Sequence, residues 1–143
     1  MLIQQISIFV ENKKGRLAEI TKVIGDAGID IRALSVADTT DFGILRLIVD
    51  KPDDAVQKLK NAGMTVSLTD VIAVSLDDKP GAFSHVVQLL SDNDINIEYM
   101  YAFIGRDPDK AYVILRVEDP SHGIDVLGKN DIKLLGSAEV YGM

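Results

Sequence analysis

The N-terminal part of the chain changes from a strand-like to a helix-like pattern of apolar residues. Ile6, Ile8 and Val10 fall on every second position, which is typical of a strand that buries one face. A polar turn, ENKKG, occupies residues 11–15. The next apolar residues recur every three or four positions, which predicts an amphipathic helix that stops at Gly28. Its apolar positions are Leu17, Ile20, Ile24 and Ala27.

Four further elements follow before residue 70. The runs IDIRALSVAD and FGILRLIV are rich in β-branched and apolar residues, and the short segment TTD between them predicts a hairpin. Pro52 opens a second amphipathic helix, expected over residues 52–62, because proline is favoured in a first helical turn. Residues 64–68 begin a last strand. The predicted order is therefore βαββαβ.

The same pattern occurs a second time. Gly81 lies 66 residues after Gly15, and the neighbouring apolar positions keep this register. Between Pro52 and Pro120 the shift is 68, which predicts a longer loop, GRDPDK at residues 105–110, in the second copy. Strands are expected near 71–76, 96–104, 111–118 and 133–141, and helices near 81–92 and 120–129. A repeat of this length predicts two similar small domains, residues 1–69 and 70–143.

The predicted fold class is α+β, with two ferredoxin-like βαββαβ domains. In each domain an antiparallel sheet carries both helices on one face. The segment MTVSLTDVIAVSL joins the copies without a glycine, proline or serine-rich spacer, and a bend is expected near Thr69-Asp70. We therefore expect stiff coupling of the domains, with their sheets paired side by side.

Composition and charge narrow the possible functions. The 143 residues are 47% hydrophobic, which is enough for packed cores. They include no cysteine, which excludes disulfides, cysteine metal sites and a thiol nucleophile. The formal charge of −7 disfavours nucleic acid and anionic lipid as partners. Because the sequence shows no signal peptide and no apolar stretch of spanning length, we expect a cytoplasmic protein without membrane contact.

The turn DDKPGAF of the second copy has two interpretations. It can be purely structural, because polar residues cap helices and Gly81 allows a tight turn. It can also bind a ligand, because a glycine turn that leads into a helix presents backbone N–H groups at the positive end of the helix dipole. A small carboxylate suits that position.

These residues resemble the ACT domain, a ferredoxin-like module that commonly binds amino acids and regulates metabolic enzymes. The resemblance covers both copies, through ENKKGRLAEITKVIGDAGIDI and DDKPGAFSHVVQLLSDNDINI, as in stand-alone tandem ACT proteins. It implies an amino-acid-binding regulatory protein that is not an enzyme, needs no cofactor and acts on a metabolic enzyme. It also implies a homodimer. The alternative is a scaffold or dimerisation module that binds no ligand.

The resemblance also implies the site residues. An effector would bind at the loop after the first strand, near a domain junction, with its carboxylate on backbone N–H groups and its ammonium group on Asn12 or Asp78. The second strand of the neighbouring domain would form a wall. The loop positions are Glu11, Asn12, Lys13, Gly15, Arg16 and Leu17 in the first copy and Asp77, Asp78, Lys79, Pro80, Gly81, Ala82 and Phe83 in the second. The wall positions are Ile29, Asp30 and Ile31, or Ile95, Asn96 and Ile97.

The two loops differ in one family feature. Pro80 matches the Pro-Gly pattern of the family, whereas the first copy has Lys14, so the second loop is the stronger candidate. The row of Tyr99, Tyr101 and Phe103 on one predicted strand either packs against neighbouring elements or lines the ligand.

The case for catalysis rests on few residues. His85 falls on a polar helix face and His122 in a first helical turn, and neither has partners that suggest a triad or a metal site. An acylphosphatase-like use of Arg16 is the remaining enzymatic alternative, and it rests on fold analogy alone.

Overall fold

The computed structural model describes residues 2–38 and 41–143. Thr39 and Thr40 of the predicted hairpin turn lie outside the described residues. Among the described helices, none is long and apolar enough to span a membrane. The strands are β1 (Ile3–Glu11), β2 (Ile31–Asp38), β3 (Phe42–Val49), β4 (Thr65–Asp77), β5 (Ile97–Phe103), β6 (Lys110–Val117) and β7 (Lys133–Leu135). The helices are α1 (Arg16–Asp26), α2 (Pro52–Asn61), α3 (Ala82–Asp92), α4 (Pro120–Lys129) and α5 (Ser137–Tyr141).

The chain divides into two compact units. The first unit is Gln4–Thr69, and the second is Asp70–Met143 together with the short N-terminal segment that ends at Ile3.

In the first unit the strand order is β2-β3-β1-β4, which is the ferredoxin-like order. Strand β3 pairs antiparallel with β1, where Ile8 lies opposite Leu45, and with β2 on its other side. Alternate residues of these strands share one core with Ile20 and Ile24 of α1 and Leu59 of α2. Both helices therefore cover the same face of the sheet.

The second unit repeats this arrangement in the order β7-β4-β6-β5. Val74 of β4 lies opposite Val113 of β6, and the core joins these residues to Val86 of α3 and Leu127 of α4. The α+β class, the ferredoxin-like repeat and the antiparallel sheets with helices on one face are confirmed.

Two predicted strands are a single element. The strands expected at 64–68 and 71–76 form one strand, β4, and the bend expected near Thr69-Asp70 is wrong because both residues are extended within it. The segment has no glycine or proline, and its valine, isoleucine and threonine residues favour an extended backbone. The side-by-side pairing of the two sheets stays a prediction.

The C-terminus differs from the prediction. The strand expected over 133–141 stops at Leu135, and α5 follows. Gly136 has an extended backbone, its N–H donates to Oε1 of Glu139 at 3.2 Å, and its carbonyl oxygen accepts from the N–H of Val140 at 3.1 Å. These bonds start a helix because they satisfy backbone groups at its first turn. The turn buries Val140.

Candidate functional site

A left-handed glycine begins each candidate loop helix. Gly15 (φ 91°) directly precedes α1 and Gly81 (φ 86°) directly precedes α3. A side chain at either position would meet nothing within 4 Å, so the positive φ alone requires glycine. Among the described side chains, none caps either helix. The N–H groups of Arg16 and Ala82 bond to loop carbonyl oxygens, and among the described groups the next N–H groups of each first turn have neither an intrahelical acceptor nor a side-chain cap.

The two loops share one pattern of backbone hydrogen bonds. In the second loop the N–H of Lys79 donates to the carbonyl oxygen of Asp77 (2.9 Å), and that of Ala82 to the carbonyl oxygen of Lys79 (3.3 Å). In the first loop the N–H of Lys13 donates to Glu11 (2.8 Å), and that of Arg16 to Lys13 (3.2 Å). The loop backbone therefore folds the same way with Pro80 as with lysine at the equivalent position.

A cavity of about 560 Å³ opens beside the second loop. Five of the predicted loop residues line it: Asp77, Lys79, Pro80, Gly81 and Ala82. Asp78 and Phe83 are not in this lining, and Phe83 packs against the core of the unit. The prediction missed the rest of the wall, which comes from β4, α3, β6, β7 and the two residues before β7: Ser75, Leu76, His85, Lys110, Asp131, Ile132 and Lys133.

The first loop borders a much smaller cavity of about 90 Å³. The predicted residues Glu11, Asn12, Lys13, Arg16 and Leu17 line it, and Gly15 does not. Four residues complete the lining: Val10, Val36, Phe42 and Gly43.

The two cavities have different walls, and the side chains of the two loops also differ in size and pairing. The guanidinium group of Arg16 lies 3.4 Å from Glu11 and 3.1 Å from Glu19, and Lys13 lies 2.8 Å from Glu11. These contacts hold the long side chains across the first loop. The position equivalent to Arg16 in the second copy is Ala82, which leaves the space open.

Ion pairs also set the charge state of both loops. Nζ of Lys110 lies 2.6 Å from Oδ1 of Asp77; this hydrogen bond lowers the pKa of Asp77 and raises the pKa of Lys110. In the first loop the hydrogen bond from Lys13, with a smaller contribution from Arg16, lowers the pKa of Glu11. Both carboxylates are therefore ionised at neutral pH.

The predicted wall residues of the second unit lie away from its loop cavity. Ile95, Asn96 and Ile97 line a separate cavity of about 400 Å³ with Val87, Ser91 and Asp94, at the opposite end of α3.

The predicted wall residues of the first unit follow α1. Ile29 is buried in the core, and Asp30 pairs with Arg32 at 2.9 Å while its N–H donates to Asp50. Ile31 begins β2. The role of either set as a wall for the neighbouring domain stays a prediction.

The aromatic row of β5 lies on the sheet face that points away from the helices. Tyr101 and Phe103 are opposite Ile114 and Tyr112, which alternate with the core residue Val113. The rings of Phe103 and Tyr112 are 5.5 Å apart, and the lining of the loop cavity, as far as the chain is described, contains none of the three residues of the row. The packing interpretation fits this position.

The two histidines have different surroundings. His85 is exposed, as its place on a polar helix face predicts, and it lines the loop cavity. His122 is a first-turn residue whose N–H donates to Asp119. Residues 2–38 and 41–143 hold no group of three or more histidine, aspartate or glutamate side chains that could bind a metal ion.

Comparisons with known proteins agree with this architecture. A family profile described as "ACT domain pair" matches residues 1–143. The crystal structure of protein BT0572 from Bacteroides thetaiotaomicron is 40% identical, with a TM-score of 0.94 over 100% of this chain and 98% of that chain. The regulatory subunit of aspartate kinase from Thermus thermophilus shares the fold at 17% identity, with a TM-score of 0.67 over 91% of this chain and 94% of that chain. No curated protein matches. With two βαββαβ repeats, a family match over its whole length and a relative that is 40% identical over the whole chain, the chain belongs to the ACT domain pair family.

Proposed function

We propose that this chain is a regulatory protein that binds an amino acid at the loop after β4. The cavity of about 560 Å³ beside Gly81 is the observation that supports this most directly. It is large enough for an amino acid, it is open to solvent, and it meets the N-terminus of α3.

The chemistry of the loop suits the α-carboxylate of an amino acid. The uncapped first turn of α3 offers backbone N–H groups, and the helix dipole favours a negative charge there. Lys79 and Lys110 add positive charge to the same wall. A backbone site of this kind binds the α-carboxylate, which all amino acids share. The side chain of the effector must therefore be recognised by the rest of the cavity wall.

The two domains, proposed as residues 1–69 and 70–143, would not bind alike. The first loop has the same backbone, yet Arg16, Glu11 and Lys13 pair across it and leave about 90 Å³. We therefore propose the second loop as the effector site, with the first loop as a structural copy of it.

Regulation requires that effector binding change the relative populations of two arrangements of the domains or subunits. A coupling free energy of about 1–3 kcal/mol between effector and partner is enough for a useful switch. We propose a metabolic enzyme as that partner and the cytoplasm as the compartment. The likeness in fold to a regulatory subunit of aspartate kinase supports an enzyme partner by analogy.

A thermal-shift screen of the full chain against each proteinogenic amino acid tests the proposal. A ligand that binds only the native state stabilises it by RT ln(1 + [L]/Kd), so at least one amino acid should raise the unfolding temperature. Gly81→Val should remove the shift because a β-branched residue is strained at φ 86° and would displace the loop. Gly15→Val is the matched control: it places the same strain at φ 91° in the other loop and should keep the shift.

The alternative function, a dimerisation module, is favoured by one surface. Strand β2 is at the edge of its sheet, and its Leu34 and Val36 are 57% and 47% exposed. An exposed apolar edge strand is a template for pairing with a second copy. We propose a homodimer through this edge, which is compatible with effector binding at the second loop.

A further inference from the structure

We propose that the second-unit cavity selects an α-amino dicarboxylic acid, such as aspartate or glutamate, and that Asp131 is the residue that receives its ammonium group. The inference rests on the proposed function, because it assigns the effector class of the same cavity. The charges of the lining and the pairing of each charged group support it, and a second aspartate with the same backbone conformation supplies a control.

The lining carries more positive than negative charge. Its charged side chains are Lys79, Lys110 and Lys133 against Asp77 and Asp131, whereas the whole chain has a formal charge of −7. A local positive excess in an acidic protein attracts an anionic ligand. An amino dicarboxylic acid carries one net negative charge at neutral pH and would neutralise this wall.

The charged groups are not equally available to a ligand. Asp77 is already engaged by Lys110 at 2.6 Å. Lys133 reaches Glu139 only at 3.7 Å and is well exposed, so it can turn toward a second carboxylate. The carboxylate of Asp131 has no hydrogen-bond or ion-pair partner among the described residues and is exposed. It is therefore the acceptor left for an ammonium group.

Asp131 also holds a conformation that ordinary residues avoid. Its φ is 62°, and the equivalent residue of the first copy, 68 positions earlier, is Gly63 with φ 86°. Glycine fits the left-handed region best, although aspartate tolerates it better than most residues. The conformation alone does not single out Asp131, because Asp94 shares it; the place of Asp131 in the cavity wall does.

The chain provides a matched control for this argument. Asp94 has φ 57° where the first copy has Gly28 with φ 70°, and it lies at the other end of α3, outside the loop cavity. Asp94→Gly and Asp131→Gly each replace an aspartate of positive φ by glycine, which adopts that conformation without strain. Each should raise the unfolding temperature by about 2 °C. Only Asp131→Gly should affect binding.

Isothermal titration of the full chain with aspartate and glutamate, and with the neutral asparagine and glutamine, tests the inference. We expect the acidic amino acids to bind at least about tenfold more tightly than their amides. Asp131→Gly and the isosteric Asp131→Asn should each weaken binding of the acidic ligand at least about tenfold, and Asp94→Gly should not change it.

The outcomes separate this inference from the proposed function. If a neutral or basic amino acid binds more tightly than aspartate and glutamate, the effector class is wrong and the proposed function stands. If acidic ligands bind and both Asp131 variants bind them as well as the wild type does, the role of Asp131 is wrong. If no amino acid binds the wild-type chain, the proposed function itself fails.

Discussion

At the scale of single residues, Gly15 and Gly81 set the course of the two loops. Each has a φ near 90°, where an L-residue places its Cβ too close to the following carbonyl group. Because nothing else crowds either position, the penalty of a small side chain comes from the backbone conformation alone.

We predict that Gly15→Ala and Gly81→Ala each lower the free energy of unfolding by about 1 kcal/mol. Gly25, inside α1, also has open space around it but has no positive φ. Gly25→Ala should instead stabilise the chain by about 0.5–1 kcal/mol, because alanine is the better helix former. Urea unfolding of the three variants measures this, and an equal loss in all three would contradict the backbone explanation.

The ion pair between Asp77 and Lys110 predicts a particular pH dependence. The folded-state pKa of Asp77 is lowered, so its stabilisation is present above the unfolded value and is lost as the pH falls through the folded value. The pKa of Lys110 is raised, so that stabilisation is lost as the pH rises through its folded value. Both groups are exposed, and salt should screen the effect.

Lys110→Met should therefore return the pKa of Asp77 toward its ordinary value, as followed by NMR titration of the carboxyl carbon. Lys129→Met is the control, since Lys129 pairs with Asp125 at 3.0 Å and not with Asp77. A pKa of Asp77 that stays low without Lys110 would show that another group causes the shift.

At the scale of elements, the second helix of each copy starts differently: α4 has a side-chain cap, and α2 has none among the described residues. The carboxylate of Asp119 accepts a hydrogen bond from the N–H of His122 at 3.2 Å and so caps α4, whereas Lys51 at the equivalent position of α2 cannot cap in this way. Asp119→Ala should lower the free energy of unfolding by about 1 kcal/mol. The neighbouring Glu118→Ala removes the same charge without a cap, and an equal loss there would point to charge rather than capping.

The short helix α5 allows a second prediction at this scale, about the contribution of its buried valine to stability. Val140 is fully buried although it lies three residues from the C-terminal Met143. Val140→Ala should lower the free energy of unfolding by about 1–2 kcal/mol, because it removes buried methyl groups and leaves a cavity. Ser137→Ala, at an exposed position of the same helix, should change little, as thermal or urea unfolding can show.

The spacing of apolar residues was sufficient to predict some helices and strands and not others. Long amphipathic runs such as Leu17 to Ala27 predicted α1 and α3 to within a few residues, because burial of one face decides both the element and its register. The apolar spacing of the segment after Leu135 predicted a strand. Its structure depends instead on local bonds at Gly136 and Glu139, which periodicity does not report.

The site was predictable only in part for a similar reason. The loop from Asp77 to Ala82 is contiguous, so one motif identified it. Lys110 and Asp131 reach the same cavity from β6 and from the turn before β7, and only the sheet order brings them there. The repeat did contain a signal for Asp131, because it replaces a glycine of the first copy at a helix end.

At the scale of the whole molecule, the proposed homodimer has a direct test. Light scattering after size exclusion should give twice the chain mass of 15.6 kDa. Leu34→Lys combined with Val36→Lys should shift the protein to the monomer, because charges on an edge strand oppose pairing. Ile104→Lys changes a more exposed apolar residue outside the strands and should keep the dimer; a monomeric wild type would contradict the proposed edge.

The central claim is that the second loop binds an amino acid, and isothermal titration of the full chain with each proteinogenic amino acid tests it most directly. We predict saturable heat with one site per chain for at least one amino acid, lost in Gly81→Val and retained in Gly15→Val. The absence of heat from every amino acid, or binding to Gly81→Val that equals binding to the wild type, would contradict it.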